Sequence, residues 1–312
     1  MKKILKNIAL LTTTIFLISG CVSIEEEPEG LLSPEGFYST ESAFDAAVVG
    51  CYRPLFGAYA GYDYWYGVCG SIGAEDVSST VNDLSGMDEL NFDPGSWVID
   101  DIWKMYYSAL NNANAIIGNL DKVEGVSQEK VNGFEGQARF IRAFCYFNLV
   151  RYFGQVPIIT FDNQAQADKV GQSPESDIYK LIIEDLKLAE EKLPVTFPEK
   201  GRATKGAAKA LLAKVYLTMA GWPIKDVSYY ALARDKAKEV IDLGVYELEK
   251  NFADLWLVEN KLTNTEFIFT LHGISGQGWE AGSHMHIASR PTADEGWMDF
   301  HSEERFFTVF PE

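Results

Sequence analysis

A pattern of paired helices occurs twice in this chain, about 70 residues apart, and it restricts the fold more than any other feature. Asp101-Ile102-Trp103-Lys104-Met105 is echoed by Asp177-Ile178-Tyr179-Lys180-Leu181, and Ala138, Ala143 and Tyr146 are echoed by Ala208, Ala213 and Tyr216. Two periods of ~34 residues is the tetratricopeptide spacing, in which a large aromatic near the start of one helix interlocks with small and aromatic residues of its partner. One such pair cannot bury its apolar face alone, so pairs must stack on one another. The predicted fold class is mainly α: a tetratricopeptide-like antiparallel helical solenoid with long loops and a little β toward the C-terminus.

Six helices carry the pattern. Ser39-Thr40 caps the first, over residues 41–55, whose Ala43, Ala46, Ala47 and Gly50 make a small-residue face. The second covers 99–120, with Trp103, Tyr106, Tyr107, Leu110, Ala113, Asn114 and Ile117 at spacings of three and four; Trp103 is assigned to the core. The third, 134–153, has two apolar stripes: Ala138, Ile141, Cys145 and Leu149, then Phe140, Phe144 and Phe147. A helix apolar on two sides must lie between neighbours. Helices follow over 176–193, ended by Pro194, over 204–220, rich in alanine, and over 228–243, stopped by Gly244. Beyond Asn251 the pattern loosens. Phe267-Ile268-Phe269-Thr270-Leu271 is predicted as a short strand, and Gly273 to Gly296 as loop.

The start of the chain concerns location. Lys2, Lys3 and Lys6 precede an apolar run from Ile8 to Ile18, and Ile18-Ser19-Gly20 leads into Cys21. The run is too short to span ~30 Å of hydrocarbon as a stable helix, so it reads as a cleaved lipoprotein signal over 1–20. Cys21 is then the lipidation site and first mature residue, its acyl chains holding the protein to a membrane. Residues 21–35, with Glu25-Glu26-Glu27, Pro28, Gly30 and Pro34, read as an acidic tether. Removing residues 1–20 takes three lysines and no acids, so the formal charge goes from −18 to −21. That balance disfavours nucleic acid and anionic membrane surfaces, and suits neutral or cationic ligands better. Cys51, Cys69 and Cys145 remain, an odd set that admits one bridge at most; buried free thiols are expected, with Cys145 on a helix and Cys51 near the end of one.

The segment from Gly136-Gln137-Ala138-Arg139 through Tyr152-Phe153-Gly154-Gln155-Val156-Pro157 resembles the signature helix and turn of the SusD/RagB family. Phe37-Tyr38-Ser39-Thr40-Glu41 through Ala47 is similar to that family's opening helix, Trp103 through Asn114 to its second, and Gly201-Arg202-Ala203-Thr204 through Ala213 to its later alanine-rich helix. Together with the lipoprotein start, the resemblance covers most of residues 15–270. It implies a nutrient-binding lipoprotein of the outer membrane of Bacteroidetes that binds glycan, or another nutrient, at the cell surface and delivers it to a SusC-like TonB-dependent transporter. It implies no enzymatic activity. Glu25-Glu26-Glu27 also resembles the acidic tract that sends such lipoproteins to the extracellular side. Residues 36–250 would be the helical repeat domain and 251–312 the start of a C-terminal region. Family chains are longer, and an end at Phe310-Pro311-Glu312 reads as that of a C-terminally truncated fragment.

The chemistry expected of the chain is that of a binder. Tyr59, Tyr62, Tyr64, Trp65 and Tyr66 crowd a Gly-flanked stretch with no period that would bury them all. Sugars stack flat C–H faces on aromatic rings while their hydroxyls reach acids and amides, so Tyr62, Tyr64, Trp65, Tyr66 and the loop residues Trp97, Trp279 and Trp297 are candidate ligand-binding residues, with Asp76 as a polar partner. Packing of these rings within the protein or against a transporter is the competing reading. Asp76, Asn82, Asp83, Asp88, Asn91 and Asp93 offer oxygen ligands without EF-hand spacing, which leaves structural calcium as a minor reading and no cofactor expected. His284 and His286 have no third metal ligand nearby, and no serine sits in a GxSxG turn. Two alternatives stand beside the glycan binder: a surface scaffold whose repeats bind only protein, and a hydrolase using Asp76, Asp83 and His284.

Overall fold

The computed structural model describes residues 37–59, 72, 77–79, 82–91, 93, 95–272 and 300–302, giving the backbone alone for 57–59, 82, 83, 85 and 300–302. The signal, Cys21 and the acidic tether lie outside these residues. Among the described residues seven α-helices follow in chain order: α1 (Glu41–Tyr59), α2 (Asn82–Asp88), α3 (Trp97–Gly118), α4 (Gln128–Phe153), α5 (Glu175–Lys192), α6 (Lys205–Ala220) and α7 (Tyr229–Asp242). From α3 to α7 each helix packs on the next, and α1 packs on α3 and α4. That is the antiparallel stack the repeat predicts. Among the described residues no helix is long and apolar enough to cross a membrane.

Local chemistry explains where the helices begin. Thr40 accepts the Ala43 amide at α1, and Ser127 accepts from Lys130 at α4. Thr204 accepts from Ala207 at α6. Each cap satisfies an amide that the first turn leaves without a partner. The cap at Ser127 starts α4 six residues before the position read from the apolar stripes, because a polar first turn carries no hydrophobic period. At the far end of α7, Gly244 takes φ +65° and stops the helix as predicted.

The two stripes of α4 are buried as expected. Ala138, Ile141, Cys145 and Leu149 are each at most 1% exposed, Phe140 and Phe147 are 2%, and Phe144 is half-buried. Both α3 and α5 pack on α4. Trp103 differs in degree: it is half-buried at the core's edge, edge-on to Phe153 at 5.2 Å and tilted against Tyr107 at 4.8 Å. Cys51 and Cys145 are buried free thiols. Burial pushes the Cys51 thiol up to about 12 and that of Cys145 well above its ordinary value, so neither supplies a thiolate at neutral pH.

Two expectations are corrected. Residues 267–271 form no strand. Their side chains pack onto the helices instead, with Phe269 edge-on to Phe140 at 4.9 Å and near Tyr52 at 6.3 Å, so burial of rings takes the place of ladder pairing. The sheet observed is a two-stranded antiparallel one, β1 (Val77–Ser79) with β2 (Phe300–Ser302), in which Ser78 faces His301. The other correction concerns Tyr59, which is the last residue of α1 rather than part of a loop.

Candidate functional site

The densest polar chemistry among the described residues is structural. Arg142 of α4 forms a two-pronged pair with Asp185 of α5, Nε to Oδ2 at 2.7 Å and Nη2 to Oδ1 at 2.8 Å. Arg139 adds a bond to Asp185 Oδ1 at 2.9 Å and another to Glu135 at 2.7 Å, and Lys192 reaches Glu135 at 2.8 Å. Burial acts to raise the Glu135 carboxyl, but hydrogen bonds from Lys192 and Arg139 outweigh it and hold the group below its ordinary value. Arg142 Nη1 also donates to Asn114 Oδ1, whose amide donates to the Ile159 carbonyl. Tyr146 Oη accepts from the Ile159 amide and donates to its carbonyl, and Tyr107 Oη donates to the Pro157 carbonyl. Side chains of α3 and α4 therefore satisfy the backbone of the extended segment that follows α4, at Pro157 and Ile159.

Of the predicted ligand-binding residues, Tyr62, Tyr64, Trp65, Tyr66, Asp76, Trp279 and Trp297 lie outside the described residues, as do His284 and His286. Trp97 is described. It is the first residue of α3 and not a loop residue, because Asp93 accepts the Gly95 amide and its carbonyl takes the Ser96 amide, turning the chain into the helix. Trp97 is 42% exposed, so a rigid element presents an indole to solvent. Two further exposed tryptophans escaped the sequence reading. Trp222, 77% exposed between α6 and α7, has Lys225 Nζ 4.2 Å from its ring centre, and Trp256, 72% exposed, stands edge-on to Phe252 at 5.8 Å. Gly221 and Pro223 around Trp222 were the available signal, since a tryptophan between helix breakers has no helical face to join.

A cleft of about 110 Å³ opens between the α5–α6 connection, residues 195–204, and the chain after α7, chiefly Tyr246 and residues 261–272. Its walls are tied down. Arg202 grips Asp45 of α1 through Nη1 and Nη2, at 2.8 and 3.0 Å, and its Nε approaches Glu199 at 3.6 Å. The Ala203 amide donates to Tyr52 Oη, and Thr204 and Tyr246 share a hydroxyl contact at 3.0 Å. Gly201 takes φ +91° beside His272, where a Cβ would come within 3.0 Å of the imidazole, so a side chain there would be strained and crowded. Burial, with Lys261 and Lys200 nearby, holds the His272 imidazole below its ordinary value. Asn264 is 8% exposed; its Oδ1 accepts the Glu266 and Phe267 amides, and its Nδ2 is buried with no partner. Such an orphaned donor costs about 1–3 kcal/mol.

Stacked helix pairs, an interior ion network that packs them and a preformed side cleft define a helical-repeat protein of the tetratricopeptide-like kind. The family model described as "Starch-binding associating with outer membrane", the SusD-like model, matches residues 73–217. SusD-like protein P25 of Formosa agariphila is 30% identical over 82% of this chain and 50% of its own length; the chain thus spans about half the length of such curated relatives. The crystal structure of a SusD superfamily protein from Parabacteroides distasonis superposes with a TM-score of 0.77 at 26% identity, covering 87% of this chain and 60% of that one. A structure solved with a xylogluco-oligosaccharide gives 0.68 at 27% identity, over 80% and 50%. The chain belongs to the SusD-like, or SusD/RagB, family.

Proposed function

We propose that this protein is a cell-surface lipoprotein that binds glycan at the outer membrane, without enzymatic activity of its own, and delivers it to a SusC-like TonB-dependent transporter. The observation that carries this is the likeness, at 27% identity and a TM-score of 0.68, to a protein solved with a xylogluco-oligosaccharide; the family model's description as outer-membrane associated supports the location. Trp97, held on the first turn of α3, and the Tyr62–Tyr66 stretch supply the aromatic faces on which sugar rings stack. Trp279, Trp297 and Asp76 belong to the same reading.

A glycan array with the chain tests it directly. Trp65→Ala and Trp97→Ala are expected to weaken binding of the glycan found by about 1–3 kcal/mol, the range for loss of one ring stacked on an aromatic side chain as measured with nucleobases, with little change in melting temperature. Unchanged affinity, or early melting, would assign those rings to packing. Failure to bind any glycan, together with capture of the transporter barrel, would favour the scaffold reading.

The anchor has its own test. Lipidation requires a thiol, so Cys21→Ser is expected to move the protein from washed membranes to the soluble fraction. Retention of the mutant after high-salt washing would sink the lipid-anchor reading.

A further inference from the structure

We propose that Trp222 is a second sugar-stacking platform, which together with Trp97 fits this protein to long polysaccharide chains. This rests on the reading of the protein as a glycan binder and adds the form of the substrate to it. The register of the helices is the first observation. Between α3 and α4, Trp103 meets Phe153 and Asn114 meets Arg142. Between α4 and α5, Arg142 meets Asp185 and Glu135 meets Lys192. Between α6 and α7 the pairs are Lys209 with Glu239 and Tyr216 with Tyr229. The first amide of α6, that of Lys205, donates to the Pro194 carbonyl just past the end of α5. Neighbours in the stack therefore run antiparallel, and the start of α3, the end of α4 and the end of α6 share one end of it. That end carries Trp97, Tyr152 on the last turn of α4 and Trp222 just past α6, all three exposed.

The second observation is independent of the register. The turn that displays Trp222 is held by backbone hydrogen bonds from the amides of Gly221 to Thr218 at 3.1 Å, Lys225 to Gly221 at 2.7 Å and Asp226 to Met219 at 3.2 Å. Lys225 takes φ +59°, a left-handed conformation uncommon for a residue with a Cβ, and its ammonium stands 4.2 Å from the centre of the Trp222 ring. Such backbone conformations are costly and concentrate at binding sites. The cation steadies one face of the indole. Trp222 is 77% exposed, so its other face is open to solvent and core packing gives no reason for a tryptophan there. An open indole face on a fixed turn takes the flat C–H face of a sugar ring. From α3 to α6 there are three helix-to-helix steps, together about 24–30 Å, so a polymer reaches both tryptophans while a tetrasaccharide reaches one. Once a chain stacks on the first ring, the second contact forms at high effective concentration.

The test measures binding of xyloglucan, laminarin and starch, each as polymer and as tetrasaccharide, to the parent chain and to W222A, W222F and K225G. NMR follows the Trp222 indole N–H, assigned by its loss in W222A. The polymer that the parent binds is expected to shift that signal and to bind roughly tenfold or more tighter than its tetrasaccharide. W222A is expected to lose this preference while keeping the tetrasaccharide affinity and the melting temperature, and W222F to keep most of it, since a flat ring remains. K225G is expected to melt no earlier than the parent, because glycine suits that backbone, and to lose part of the preference. A preference for polymer that survives in W222A, or an indole signal that no bound polymer moves, would overturn the proposal. K225G with the full preference would overturn the part given to Lys225. The two readings fail separately: polymer and tetrasaccharide bound with equal affinity by the parent removes the Trp222 platform alone, and no binding of either form counts against the glycan-uptake function as well.

Discussion

Asp185→Ala is expected to lower the stability of the chain by about 3–5 kcal/mol, the usual effect of removing one partner from a buried ion pair. Asp185 is 1% exposed and Arg142 6%, and the carboxylate receives three guanidinium hydrogen bonds from Arg142 and Arg139. Without it, Arg142 keeps its charge inside the stack with Asn114 as its remaining acceptor there. The cost is that stranded cation more than the lost attraction. Replacing both sides, as in Arg142→Met with Asp185→Leu, is therefore expected to be much milder than Asp185→Ala alone, because the most buried cation leaves with its partner and Arg139 keeps Glu135. Urea unfolding at neutral pH of the parent, the single and the double variants checks both statements. A single-variant loss below about 1 kcal/mol, the range of exposed pairs, would mean that water reaches the pair. Glycan affinity should not change, since the network faces the interior.

That network shows what a sequence conceals. Arg139 and Arg142 interrupt the apolar pattern of α4, which signals that something must neutralise them, but Asp185 lies 43 residues beyond Arg142 on another helix and looks like any helical acid. Helices themselves were legible because burial repeats at their period: Phe44, Val48, Cys51 and Leu55 on α1 are all buried. The polar start of α4 was not, since residues 128–132 bury little and the cap at Ser127 is their main signal. Strand propensity misled at 267–271. Phe, Ile and Thr favour strands because they suit a half-buried pleated face, and here the helical stack buries the same side chains without a partner strand.

Of the candidate ligand-binding residues read from the sequence, Trp97 alone lies among the described residues. Aromatic residues without a helical period pointed to surface rings, and Trp97 is such a ring, though it stands on a helix and not in a loop. The cleft had no sequence signal. Its groups come from the α5–α6 connection, from Val245 and Tyr246 beyond α7 and from the stretch around Asn264, and the fold alone brings them together. Trp222 and Trp256 could have been found by the reasoning used for Trp97, since each sits where the helical pattern stops.

Gly133→Ala and Gly136→Val, three positions apart on α4, are expected to change stability in opposite directions. A Cβ at Gly133 meets nothing within 4 Å, so alanine there gains helix propensity and should stabilise by about 0.5–1 kcal/mol. At Gly136 a Cβ would lie 2.7 Å from Leu193 Cγ and 2.8 Å from its Cδ2. Leu193 is 1% exposed and its amide is fixed on the Ala189 carbonyl, so it has little room to yield, and valine should cost about 2–3 kcal/mol. The second repeat has the same device. Gly206 lies 70 residues after Gly136, the offset that relates Ala138 to Ala208, and a Cβ there would strike Tyr246, at 2.2 Å from its hydroxyl oxygen and 2.5 Å from its ring. In both repeats a glycine in the second helix of the pair admits a residue that follows the next helix, which is how one unit seats the unit after it. Tyr246 is half-buried and can swing aside more readily than Leu193, so Gly206→Val should cost less than Gly136→Val. Thermal or urea unfolding of the three variants decides it: equal losses at 136 and 206 would deny that buried Leu193 is the stiffer neighbour, and a stable Gly136→Val protein would deny the close approach itself.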